Sequence, residues 1–290
     1  MTMMATTTVQ VRTTAGPVTG RGAGPAARDT PLVVALHGGG HHSGYFDVPG
    51  HSLLDVGAAA GFEVVALDRP GYGGSHPPAG ELTFARSAEV VDEAIGALWR
   101  ERGGARPGVV VVSHSIGSAI AVHLAARRPQ WPLLGLSLHG VGDRSPAHVI
   151  DAWRAVPPGA GPVELPAPQR RALLYGPAGT VDDDAVDAAR TSVAPLPLAE
   201  MLEIVDGWPA EHGKVAAEVV VPVHYTLAEY DGLWVVDEDR LAAFAQAFSS
   251  APWVTARIQR GAGHNLDHHR LSRAFHLGQL AFAAECAARR

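Results

Sequence analysis

The sequence has a single cysteine, Cys286, among 290 residues, so an intrachain disulfide is excluded. A reducing compartment fits that usage. The chain never reaches the roughly eighteen consecutive apolar residues that a membrane helix needs, and no span is expected. Residues 1–20 are rich in threonine and lack an apolar run of signal-peptide length. Together these absences make the cytoplasm the expected location. Lysine and arginine form no stripe or block, and the net charge is -6, so a nucleic-acid backbone is not an expected partner. No internal repeat is visible. Glycine (33) and proline (22) are frequent, but glycine clusters at a few places rather than recurring with a period.

What is present is an ordinary globular balance, 47% hydrophobic and 18% charged, with ample apolar material for a core. The length allows one large α/β domain with an inserted subdomain. Alanine and arginine are preferred to isoleucine and lysine, a usage that points to a GC-rich bacterial genome.

Residues 7–12 alternate as a strand, and 20–29 look like a flexible, polar connection. Residues 31–36 (PLVVAL) form a continuous apolar run, the pattern of a strand buried on both faces of a parallel sheet. Helical and strand patterns then alternate: helix 53–60, strand 63–67, helix 84–102, strand 109–112, helix 116–127 and strand 133–138. This alternation predicts βαβ units and a mostly parallel sheet with helices on both faces. After His139 the rhythm breaks. Pro-rich joints, such as Val156-Pro157-Pro158, separate helical patches at 182–189 and 198–205, and no buried strand is expected there. Strand 219–226, helix 237–248, strand 253–258 and helix 270–288 then close the chain. The expected organisation is a core formed by 1–140 and 217–290, with 141–216 inserted as a helical cap.

The strand at 109–112 runs directly into Ser113-His114-Ser115-Ile116-Gly117, and a helix follows. A nucleophile elbow needs that strand–turn–helix setting, with small residues two places before and after the serine. The helix aims its N-terminal N–H groups at the turn, and the backbone N–H of Ile116 can face a developing oxyanion. Ser113 stands where glycine is usual. Likewise His37-Gly38-Gly39-Gly40 ends the first buried strand, and its glycines allow close backbone approach to a ligand. No Gly-Lys-Ser/Thr follows, and the dinucleotide spacing is missing, so phosphate and dinucleotide loops are set aside.

With these pieces, Asp68-Arg69-Pro70-Gly71-Tyr72-Gly73-Gly74-Ser75, Ala228-Glu229-Tyr230-Asp231 and Gly263-His264 complete an ordered set. In this order the chain resembles the α/β-hydrolase superfamily, and the resemblance covers most of the chain outside the expected cap. It implies the α/β-hydrolase fold, with Ser115 as nucleophile, His264 as general base and Asp231 as the acid that holds the His264 ring. Gly39 and Ile116 would supply the oxyanion N–H groups, with Gly40 a helper. Ala228 replaces the family's common glycine. Glu229 and Asp143 remain alternative acids. His268 and His269 compete with His264, and His264 and His268 stand four apart, a spacing that holds a metal if helical. No third ligand is evident, so neither a metal nor another cofactor is expected.

Candidate substrate-binding residues are Tyr45, Tyr72, His114, Trp153 and Trp208, with Phe46, His139, Tyr175 and Met201 as further aromatic, histidine and methionine candidates. The resemblance implies an enzyme acting on a small molecule, as a monomer or homodimer. The leading expectation is hydrolysis of an ester, thioester or lactone of an apolar compound through an acyl-enzyme. Non-hydrolytic chemistry in natural-product biosynthesis, with the same residues moving protons, is the second. A non-catalytic binding protein on the same fold is the third.

Overall fold

The computed structural model describes residues 6–27, 29–157, 160–161 and 163–290. Pro158 of the expected joint and residues 1–5 lie outside the described residues. Eight strands form one sheet: β1 (Thr7–Thr13), β2 (Gly16–Ala23), β3 (Leu32–Leu36), β4 (Val64–Leu67), β5 (Val109–His114), β6 (Leu133–His139), β7 (Val223–Tyr230) and β8 (Val254–Gly263). Their spatial order is β1-β2-β4-β3-β5-β6-β7-β8. The β2 strand runs antiparallel to β1 and β4, and every other neighbouring pair is parallel.

The apolar runs of β3 and β5 are explained by burial on both faces. Leu32, Val34, Leu36, Val109 and Val111 pack into the core on one side, with Phe84, Val91 and Ile95 of α2 (Phe84–Arg102, after α1 at Leu53–Ala59). Val33, Ala35, Val110 and Val112 point the other way, against Leu53 and Leu54 of α1. This is the period-two alternation of a strand with both faces covered. The first helix starts at Ser52, whose hydroxyl accepts the N–H of Asp55, and the second at Thr83, which accepts from Arg86.

Three more helices complete the sheet's cover: α3 (Ile116–Ala126), α9 (Glu238–Gln246) and α10 (Ser272–Ala288). Between β6 and β7 the chain passes through α4 (Ala147–Arg154), α5 (Ala167–Tyr175), α6 (Asp183–Ala189), α7 (Leu198–Leu202) and α8 (Trp208–Ala217). A π-helical turn, Glu203–Gly207, joins α7 to α8. Among the described residues this segment contains no strand, only isolated bridges; one of them pairs Val193 with His41 after β3. No helix of the described residues is long and apolar enough to cross a membrane.

Two expectations are corrected. Residues 16–23 are a strand, where 20–29 read as a flexible connection. The glycines that suggest a loop are there because β2 lies tight on β4: a Cβ on Gly20 would sit 2.3 Å from the Ala66 carbonyl oxygen. The seventh strand begins at Val223, not 219, and continues to Tyr230, because pairing with β6 starts only at Val223 opposite Leu136.

Candidate active site

Ser115 occupies the turn between β5 and α3, with φ 55° and ψ −127°. Among the described residues only Arg128 shares a positive φ without being glycine. Such backbone costs roughly 1–3 kcal/mol and persists only where the surroundings impose it. Here the Ser115 N–H donates to the His139 carbonyl at 2.8 Å. The Ser118 hydroxyl bridges the carbonyls of Ser113 and His139 at 2.8 and 3.0 Å. Gly117 has no alternative: a Cβ there would lie 2.4 Å from the Leu36 carbonyl oxygen. Ser113 is fully buried, which is why only a small residue fits where glycine is usual.

His264 follows β8, and its Nδ1 lies 2.8 Å from Asp231 Oδ2. With a carboxylate as acceptor, Nδ1 carries the proton and Nε2 keeps its lone pair. The other Asp231 oxygen accepts the Leu233 N–H at 2.9 Å, so the carboxylate cannot turn. The approach depends on the sheet. The β7–β8 register breaks between Ala228 and Tyr230, and Tyr230 then pairs with Gly263. That places the residue after each strand, Asp231 and His264, side by side.

The alternative acids are engaged elsewhere. Glu229 accepts the Gly261 N–H at 2.8 Å and pairs with Arg260, and Asp143 pairs with Arg240 at 3.1 Å. Of the competing histidines, His268 has Nε2 2.9 Å from the Tyr45 carbonyl and Nδ1 3.3 Å from the Tyr175 hydroxyl. His269 accepts the Gly263 N–H and faces the Thr180 carbonyl. Burial lowers both imidazoles to about 4. Among the described residues no group of three His, Cys, Asp or Glu side chains is arranged to hold a metal.

Ser115, His264, Gly39 and Ile116 line one cavity of about 60 Å³. Ile116 is the first residue of α3, so its N–H has no acceptor within the helix. Gly38 touches the serine: a Cβ there would be 2.8 Å from Ser115 Cβ. Of the expected binding residues, His114 and Trp153 line this cavity. Gly40 instead lines a neighbouring cavity with Leu165 and Arg170. Tyr45, Tyr72 and Trp208 do not line the Ser115 cavity, which corrects their assignment. Tyr45 is buried with its hydroxyl on Asp267 at 2.8 Å and its ring stacked on His114 at 4.4 Å. Tyr72 donates to Glu200, and the Trp208 indole N–H donates to the Gly142 carbonyl.

Asp267 is itself wholly buried. Burial alone would raise its pKa, but contact with His139 and His276 outweighs this and holds it well below the usual carboxylate range.

Sequence reasoning missed most of the apolar wall, including Val149, Leu196, Ile204 and Trp234. Val149 and Trp153 are four apart on α4, a helical signal that was available. Leu196 lies between prolines and carried none. His41 also lines the cavity, with Nδ1 3.3 Å from the Ser192 hydroxyl. Burial depresses its pKa to about 3, so the ring is neutral.

A family model described as the Alpha/beta hydrolase family matches residues 33–275. The chain belongs to that family. Mouse protein phosphatase methylesterase 1 is 33% identical over 109 residues, 37% of this chain and 27% of that protein. The chain thus matches about a quarter of that relative's length. The α/β-hydrolase fold recurs in solved structures at low identity. A carboxyl esterase from Bacillus coagulans superposes with TM-score 0.71 at 17% identity, covering 98% of this chain and 99% of that one. Haloalkane dehalogenase DbeA from Bradyrhizobium elkani gives 0.68 at 20%, covering 99% and 100%. The mostly parallel eight-stranded sheet with its helices is the α/β-hydrolase fold of these structures.

Proposed function

We propose that this α/β hydrolase is a serine hydrolase acting on an ester, thioester or lactone of a small apolar molecule. The carrying observation is that the strained Ser115 and His264, itself held by Asp231, line one apolar cavity. In this reading Ser115 Oγ attacks the carbonyl carbon while His264 Nε2 takes its proton. The N–H groups of Gly39 and Ile116 hold the oxyanion of the tetrahedral intermediate. Collapse breaks the bond to the leaving group, which takes the proton back from His264. Water, deprotonated by His264, then releases the acid from Ser115. Asp231 keeps the ring in one tautomer and stabilises the imidazolium.

Residues 141–216 act here as a cap, since Trp153, Met201 and Ile204 from this segment wall the cavity above Ser115. A volume of about 60 Å³ suits a short acyl group, because one water-sized sphere takes roughly 10–15 Å³. Partial similarity to a methylesterase and fold similarity to a carboxyl esterase are in keeping with ester chemistry.

Two measurements test this. A fluorophosphonate probe is expected to label Ser115, read by peptide mass spectrometry. A series of p-nitrophenyl esters is expected to show kcat/KM highest for short acyl chains. A folded protein that leaves Ser115 unmodified sinks the nucleophile; preference for long chains sinks the acyl assignment.

A further inference from the structure

A charged group that the mechanism does not use lies directly behind the glycine loop. Arg69 is completely buried. Its Nε donates to the His37 carbonyl at 2.8 Å and its Nη2 to the Gly38 carbonyl at 3.2 Å. Two further N–H groups go to Glu200, with Nη1 to Oε1 at 2.6 Å and Nη2 to Oε2 at 3.2 Å. The Tyr72 hydroxyl also donates to Glu200 Oε2, at 2.5 Å. The His37 ring completes the arrangement. Its Nε2 accepts the Arg69 N–H, so Nδ1 holds the proton and donates to the Gly38 carbonyl at 2.8 Å.

Peptide geometry gives this a consequence. The Gly38 C=O and the Gly39 N–H belong to one trans peptide and point in opposite directions. Two donors, from Arg69 and His37, hold the carbonyl. They therefore fix the direction of the N–H assigned to the oxyanion.

Glu200 sits on α7, in the segment inserted between β6 and β7. Its neighbour Met201, and Ile204 and Val205 one turn on, wall the cavity. A guanidinium with no exposure tolerates its position only while its counter-charge is present. Withdrawal of α7 would take away the counter-charge that holds the guanidinium in its orientation on the loop carbonyls.

We infer that Arg69, Glu200 and Tyr72 form a latch that makes seating of the inserted helices and alignment of the Gly39 N–H a single event. Arg69 and Glu200 are positioning residues; neither touches the reacting atoms. Substrate filling the cavity presses on the helix that carries Glu200, and the same contact sets the oxyanion donor. This rests on the reading of Ser115 as nucleophile.

The test uses Arg69→Lys, Glu200→Gln, Glu200→Asp and the mild Tyr72→Phe. Lysine keeps the charge but cannot fork onto two carbonyls. Competent sites are counted by fluorophosphonate labelling carried to completion, and kcat per site, KM and inhibition by an alkyl boronic acid are measured. Arg69→Lys and Glu200→Gln are expected to lower kcat per site about 10- to 100-fold, with KM changed less than about threefold. Boronate affinity should fall in parallel with kcat, and Glu200→Asp should restore part of both. If a variant is insoluble, Tyr72→Phe carries the test with an expected fall of about three- to tenfold. Variants that melt earlier but keep kcat per site and boronate affinity within twofold of wild type overturn the latch. Failure of the wild type to label at Ser115 overturns the nucleophile instead, so the two failures are distinct.

Discussion

Asp231 and His264 meet at 2.8 Å although 33 residues separate them, because each directly follows one of two paired strands. The second Asp231 oxygen is held by the Leu233 N–H, so the pair has one geometry.

Replacing Asp231 by Asn is therefore expected to present the wrong ring tautomer to Ser115. A fall in kcat/KM of about 10³–10⁴-fold on a short-chain ester is expected, with little change in melting temperature. Glu229→Gln and Asp143→Asn should stay within a few fold, since their partners are Gly261 and Arg240. Steady-state kinetics on the three variants discriminates the acids.

Ser115→Gly should abolish turnover and stabilise the fold. Glycine adopts φ 55° without penalty, whereas serine does so under strain. A gain of about 1 kcal/mol in urea unfolding is expected. An unchanged or lower midpoint would show that the turn stores no strain.

Gly117→Ala tests the packing of the same turn. The added methyl meets the Leu36 carbonyl oxygen 2.4 Å away and the His37 carbonyl oxygen 2.5 Å away, and both are backbone. Loss of about 1–3 kcal/mol is expected, together with loss of Ser115 labelling. Wild-type unfolding would refute the close approach.

Glu203 predicts a pH effect on stability. Burial raises its carboxyl from the ordinary 4.5 to about 7, even though it accepts the Phe84 N–H. Below about 4.5 both folded and unfolded chains hold the proton. Between about 4.5 and 7 the folded chain binds more protons than the unfolded one, so its contribution to stability falls as pH rises and stays low above that. Glu203→Gln should flatten this slope and, after discounting for solvent screening, gain on the order of 1 kcal/mol at pH 8 relative to pH 5. Urea titrations at several pH values measure it.

The central sheet was legible because β3, β4 and β5 are apolar runs bounded by glycine and polar turns. The second strand was not, since its glycines serve close packing on β4, and sequence does not separate that use from a loop. Ser115 could be placed from strand, turn and helix in succession. The choice among Asp231, Glu229 and Asp143 could not be read, because it depends on a register break between β7 and β8. The binding wall was legible only in part. An aromatic residue's sequence does not say whether its ring faces a ligand or its hydroxyl is taken by a buried carboxylate, as with Tyr45 on Asp267 and Tyr72 on Glu200. The Arg69–Glu200 contact spans 131 positions, beyond the reach of local pattern.

The β8 strand is the outermost on its side of the sheet, with β7 next to it, whereas β5 lies in the middle. Asp231 and His264 thus ride on the rim and Ser115 on the hub. The His264–Asp231 contact joins the ends of two neighbouring strands, β7 and β8. In the proposed mechanism the proton-handling pair is thus assembled at the sheet's edge and the attacking hydroxyl at its centre, so the two halves of the site belong to separately supported parts of the sheet.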